Sequence, residues 1–136
     1  MSFLKTRAAS ALAATLMAAF VTTATPAFAH HGWSDYDADT KLTLRGTIKT
    51  SSYENPHAMI TLEADNKSYT VILAPVSRME SRGASREAVN VGKQVTVVGY
   101  PSKTHAGEVR AERIVLKNAG TDAGADAGTD KTVELR

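Results

Sequence analysis

Residues 57–73, HAMITLEADNKSYTVIL, decide the fold because they have the pattern of a complete β-hairpin. Ala58, Ile60 and Leu62 occupy alternate positions in the first half, and the residues between them form a second face. Such alternation predicts a strand with one buried face and one outer face. Asp65-Asn66-Lys67 predicts a tight turn into a second strand. The stretch therefore indicates two neighbouring strands of an antiparallel sheet.

The same period-two pattern recurs on both sides of the hairpin. It predicts further strands at residues 42–49, 94–100, 109–116 and 131–136, with a helical connection over residues 76–89. In the strand at 109–116 no single register buries both Val109 and Ile114, so we expect an irregularity near Arg113. Three strands, a short helical connection and further strands is the order of an OB-type barrel. We therefore predict an all-β fold, a small OB-like barrel of five or six strands.

An export signal precedes this barrel. It begins with Lys5 and Arg7, continues through the small and apolar residues 8–21, and ends at the small-x-small pattern of Ala27 and Ala29. Cleavage after Ala29 makes His30 the first residue of the mature chain. We predict a bacterial periplasmic or secreted protein with no transmembrane segment after cleavage.

Composition divides the rest of the chain. Residues 118–130 are almost entirely Ala, Gly, Asp and Thr, a composition that buries too little apolar surface to order itself. The expected organisation is a signal peptide (1–29), an N-terminal segment (30–39), the OB-like barrel (40–117), a flexible insertion (118–130) and a C-terminal strand (131–136).

Charge and cysteine content exclude several function classes. The net charge of +2 comes from Lys5 and Arg7 alone, so the mature chain is neutral and we expect no nucleic-acid partner. The absence of cysteine excludes thiolate zinc sites, thiol catalysis and cysteine-attached haem. None of the common catalytic motifs is present, and we expect a non-enzymatic protein.

Histidines carry the strongest functional signal. A chain that starts at His30 offers a metal its free α-amine and its ring, and His31 follows directly. With the ring of His57 these groups form a nitrogen-rich set that suits Cu(II). We therefore predict a metal site at His30, His31 and His57, with copper as the metal. Cleavage after Ala27 instead leaves histidine as the third residue, an arrangement that binds Cu(II) without His57.

A second geometry involves softer ligands. His57 and Met59 are two residues apart on a strand and share its outer face, where an imidazole and a thioether suit Cu(I). Met79 is a further sulfur donor, and Trp33 is a candidate to cap the ion with its ring. Met59 and Trp33 are secondary candidates, because methionine more often fills space in a protein.

Two other groups of residues have simpler explanations. Arg78, Arg82 and Arg86 recur every four residues and predict the charged outer face of a helix. His105 falls in a polar loop and predicts an exposed histidine.

The chain resembles an uncharacterised family of small exported bacterial proteins, grouped as a domain of unknown function. Its motifs are the His-His start, Tyr53-Glu54-Asn55-Pro56-His57-Ala58 and residues 95–101, VTVVGYP. Position by position, the family's most specific residues fall on His30, His31, Asn55, Pro56 and His57. The resemblance covers about residues 27–117 and resumes at 132–136. It implies export and supports the choice of site residues.

The expected architecture is also similar to that of periplasmic copper and silver chaperones, which are small OB barrels. We therefore expect a periplasmic metal carrier or buffer. The alternative is a non-enzymatic envelope module whose barrel surface or strand edge docks a partner protein.

Overall fold

The structure, a computed structural model, describes residues 32–117 and 129–136 and consists mostly of strands. Its strands are β1 (Leu42–Ser52), β2 (Met59–Ala64), β3 (Lys67–Ile72), β4 (Gln94–Pro101), β5 (Glu108–Leu116) and β6 (Lys131–Glu134). A short helix, α1 (Val76–Ser81), and two 3₁₀ turns, Trp33–Asp35 and Glu87–Val89, complete it. The predicted signal peptide, His30, His31 and residues 118–128 of the predicted insertion lie outside the described residues.

The strands form a closed barrel. Their order is β3-β2-β1-β4-β5-β6, and β3 also pairs with β5 in parallel through residues 70–72 and 108–110. That parallel pairing closes five strands into a barrel and leaves β6 as an added strand on β5. The predicted small OB-like barrel is confirmed, including its short helical connection between β3 and β4.

The hairpin at residues 57–73 forms as predicted. Asp65 and Asn66 have φ angles of 50° and 60°, which identifies the two-residue turn that matches the twist of antiparallel strands. The irregularity expected near Arg113 is also present. Val98 pairs with Arg113 but Gly99 pairs with Ala111, so Glu112 is the extra residue of a bulge in β5. The bulge allows Val109 and Ile114 both to face the interior.

β1 is long because it serves two neighbours. Residues 42–47 pair with β4, and residues 47–52 pair with β2. Gly46 lies at the change of partner, where a Cβ atom would overlap the carbonyl oxygen of Glu63 and lie 2.8 Å from its carbonyl carbon. Only glycine permits this close approach of two backbones.

The barrel interior holds one hydrophobic core. It is formed mainly by inward-facing residues of the strands, with Ile48, Leu62, Val97 and Ile114 fully buried. Met79 of α1 is also completely buried in this core. In the parts of the chain that the structure describes, no helix has the length and apolar character needed to cross a membrane.

The predicted arginine face has a different role. α1 ends at Ser81, so only Arg78 lies within it, Arg82 caps its end and Arg86 lies beyond it. Arg78 donates to the carbonyl of Leu135 at 3.1 Å, and Arg82 donates to the carbonyls of Glu134 and Arg136. Arg86 donates to the carbonyl of Tyr53 and stacks on its ring. The first two arginines therefore hold the C-terminal residues against α1.

Candidate functional site

The segment before β1 lies against the outside of the barrel. The backbone N–H of Asp37 donates to the carbonyl of Pro101, and the backbone N–H of Lys103 donates to the carbonyl of Asp35. Tyr36 pairs with Ser102 in an isolated bridge. These bonds fix the segment at the end of β4, and Tyr36 is buried there although it does not belong to the interior core.

His57 lies on the same outer side, two residues before β2. Ala58 and Ile60 are buried in the core, whereas His57 and Met59 are only half-buried. This alternation places His57 and Met59 on the outer face, as the sequence predicts. The Nε2 atom of His57 is 3.4 Å from Nη2 of Arg110 in β5. Because a guanidinium only donates, Nε2 of His57 is the acceptor in this contact.

Arg110 joins His57 to the N-terminal segment. Its guanidinium carbon lies 4.9 Å from the centre of the Trp33 ring and 5.8 Å from that of Tyr36. Arg136 stacks on Trp33 as well, at 4.7 Å, and Tyr100 meets Trp33 edge to face. We call Trp33, Tyr36, His57, Tyr100 and Arg110 the outer cluster. The register explains it, because Arg110 pairs with Ile72 on one side and Tyr100 on the other.

Two glutamates border the outer cluster, and each already has partners. The Tyr36 hydroxyl donates to Glu108 at 2.6 Å. Burial, with Glu108 as a further cause, raises the pKa of Tyr36 well above its usual value. Glu112 pairs with Lys41 at 3.0 Å and with Arg136 at 3.8 Å, and it accepts a bond from the Tyr100 hydroxyl. Both carboxylates therefore serve to anchor aromatic residues.

The ion pair of Glu112 predicts an acid-dependent contribution to stability. The hydrogen bond from Lys41 holds the pKa of Glu112 below its ordinary value. A carboxylate with a lowered folded-state pKa stabilises the protein above its unfolded-state pKa, about 4.3, and loses that contribution as the pH falls through the folded-state value. We expect Glu112→Gln to lower the melting temperature by a few degrees at pH 7, and the difference from wild type to shrink below pH 4. Thermal melts across pH 3–7 measure this, with exposed Glu54→Gln as the control. A difference that is independent of pH would contradict the ion-pair explanation.

The structure brings together some of the predicted site residues. His57 and Trp33 meet through Arg110, and Met59 shares their side of the barrel. Met79 lies in the core cluster, to which Met59 does not belong, so the structure does not bring the two sulfurs together. Over residues 32–117 and 129–136, no group of three or more His, Asp or Glu side chains is arranged to hold a metal. His30 and His31, the other predicted ligands, lie outside these ranges.

The sequence did not indicate Arg110, Arg136, Tyr36 or Tyr100 as site residues. Arg110 is 53 positions from His57 in the chain, and only the parallel pairing of β3 with β5 brings them together. No local spacing signals such a contact. One feature of the strand hints at a special role for Arg110. It is half-buried, between the buried residues Val109 and Ala111.

A family model described as "Family of unknown function (DUF6152)" matches residues 18–110. The chain belongs to the DUF6152 family. The match covers His30, His31, His57 and Arg110, and it ends before the rest of β5 and β6. Membership in DUF6152 confirms the predicted resemblance to an uncharacterised family.

Other comparisons add little. No curated protein matches the chain. Among solved structures, a ZRD-deleted mutant of TiaS with agmatine is similar at 18% identity and a TM-score of 0.48, covering 70% of this chain and 26% of that one. A complex of TiaS with tRNA, AMPCPP and agmatine covers 74% and 28%, at 18% identity and a TM-score of 0.46. The chain thus spans less than a third of these proteins, and likeness at this level carries no argument about function.

Proposed function

We propose that the protein is a periplasmic metal-binding barrel that carries or buffers a transition metal, with copper as the metal. The ligands are the α-amine and ring of His30 at the mature N-terminus, the ring of His31, and the ring of His57. The observation that carries the proposal is that Arg110 contacts both Trp33 and His57. Its guanidinium lies 4.9 Å from the centre of the Trp33 ring, and its Nη2 atom lies 3.4 Å from Nε2 of His57.

Chain length supports this assignment. His31 is two residues before Trp33 and His30 is three residues before it. A chain spans at most about 3.6 Å per residue, so two residues cover at most about 7 Å. The 3₁₀ turn at Trp33–Asp35 is held at the end of β4, beside the outer cluster. The proposal therefore requires that the short segment before this turn reach His57.

The chemistry of His57 is also suitable. Its Nε2 atom faces Nη2 of Arg110 through a long contact. A metal that takes the lone pair of this Nε2 atom replaces a weak hydrogen bond with a coordinate bond. The terminal amine has a reference pKa of about 7.7–8.0, so a metal can displace its proton near neutral pH.

Titration of the mature protein with Cu(II) tests the proposal, followed by visible absorption and electron paramagnetic resonance. We expect one copper per chain with nitrogen hyperfine structure. A form in which a methionine precedes His30 keeps every side chain but removes the terminal chelate, and we expect much weaker binding. Equal copper binding by the extended form would overturn the assignment of the α-amine.

A further inference from the structure

Arg110 is a half-buried cation without an ion pair in the described ranges of the chain. The nearby carboxylates contact other residues, since Glu108 accepts a hydrogen bond from Tyr36 and Glu112 pairs with Lys41 and Arg136. The guanidinium contacts His57 through Nη2, and its charge opposes the rise in the pKa of Tyr36. The Nε atom of Arg110 is buried and has no hydrogen-bond partner among the described residues.

Such a group requires an explanation. Buried charges in proteins are paired, and buried donors are almost always hydrogen-bonded to protein, water or a ligand. A buried donor without a partner loses its bond to water and gains none in return. At Arg110 this unbonded donor lies where the guanidinium packs on the aromatic rings of Trp33 and Tyr36. A bound anion would satisfy both its charge and its free donor.

The geometry of the guanidinium selects the kind of anion. The Nε–H and one Nη2–H of an arginine point in parallel from the same edge of its plane. This edge matches the two oxygens of a carboxylate, which it binds in a planar, bidentate manner. At Arg110 the Nε half of the edge has no hydrogen-bond partner among the described residues, and Nη2 lies 3.4 Å from Nε2 of His57.

The surroundings of that edge favour a flat anion. The ring of Trp33 receives Arg110 and Arg136 at 4.9 and 4.7 Å, so two guanidinium charges lie beside it. A carboxylate lies in the plane of the guanidinium and extends the same stack, whereas a tetrahedral phosphate places oxygens above and below that plane.

We propose that Arg110 binds a small carboxylate through Nε and Nη2, between His57 and the ring of Trp33. The carboxylate displaces Nη2 of Arg110 from His57, and the Nε2 lone pair of that histidine is then released. The site needs no metal, so it stands or falls independently of the copper proposal.

Nuclear magnetic resonance of the ¹⁵N-labelled, metal-free protein tests this site. Sodium formate replaces sodium chloride at constant ionic strength, and the indole N–H of Trp33 reports binding without ambiguity because the chain has one tryptophan. We expect a saturable shift of this signal in wild type with a millimolar Kd, accompanied by a shift of the Arg110 Nε–H signal. In Arg110→Gln the saturable shift is lost.

Arg113→Gln is the matched control, since it removes an exposed arginine of the same strand that pairs with Glu134. We expect it to bind formate as wild type does. Arg110→Lys keeps the charge but loses the planar pair of donors, and we expect it to bind formate more weakly. This variant also tests the site if Arg110→Gln does not fold. The proposal is overturned if wild type shows no saturable shift, or if Arg110→Gln or Arg110→Lys binds formate unchanged. Tighter binding of phosphate than of formate would overturn the carboxylate assignment.

Discussion

Gly46→Ala is expected to destabilise the barrel by about 3 kcal/mol, at the upper end of the usual cost of inserting a methyl group into a packed structure. The new Cβ would overlap the carbonyl oxygen of Glu63 in β2 and lie 3.1 Å from the Cβ of Ala64. Neither neighbour can move easily, because Glu63 is paired with both Thr47 of β1 and Ser68 of β3. Relief therefore requires separation of the strands where β1 passes from one partner to the next.

Thermal and urea unfolding measure this effect. For a domain of this size a loss of about 3 kcal/mol lowers the melting temperature by more than about 10 °C. Gly32→Ala is the control, since its Cβ would meet nothing within 4 Å and its φ of −63° is ordinary for alanine. A Gly46→Ala protein as stable as Gly32→Ala would show that β1 and β2 do not approach as closely as described.

His57→Ala is expected to weaken Cu(II) binding by at least about tenfold, which corresponds to about 1.4 kcal/mol. The variant removes a ring donor that the proposed site takes from the barrel, while the terminal amine and His30 ring remain. A residual affinity is therefore expected, together with fewer nitrogen couplings in the paramagnetic resonance spectrum. Competition against a chelator of known affinity gives the ratio.

His105→Ala is the matched control for this change. His105 is an exposed loop histidine whose Nδ1 lies 3.0 Å from the Thr104 hydroxyl. We expect its loss to leave copper affinity unchanged. If both variants bind copper like wild type, the metal is held by the N-terminus alone, as expected for cleavage after Ala27, and His57 is not a ligand.

The fold could be predicted from sequence because its signals are local. Alternation in residues 57–73 and the Asp65-Asn66 turn specify a hairpin, and the conflict between Val109 and Ile114 reveals the bulge at Glu112. The β3–β5 pairing that closes the barrel is a contact between distant segments, and the order of elements predicts it only through the OB-type pattern.

The site was harder to predict, because its contacts join segments that are distant in the chain. His57 and Trp33 could be chosen by residue type, but the arginine between them comes from a strand far along the chain. The four-residue spacing places Arg78, Arg82 and Arg86 on one face only if a single helix continues past Gly83, and α1 ends at Ser81. Gly83 follows with a φ of 78°, the left-handed conformation that stops a helix. Met79 was a candidate ligand by type, yet the helix directs it into the core.

The native mass of the protein exported by its own signal, recorded with and without added copper, tests the central claim most directly. The account predicts a chain that begins at His30 and gains the mass of one copper ion. A chain that begins elsewhere, or one that begins at His30 and stays metal-free in the presence of copper, would contradict it. The second result would favour a barrel that docks a partner protein in the envelope.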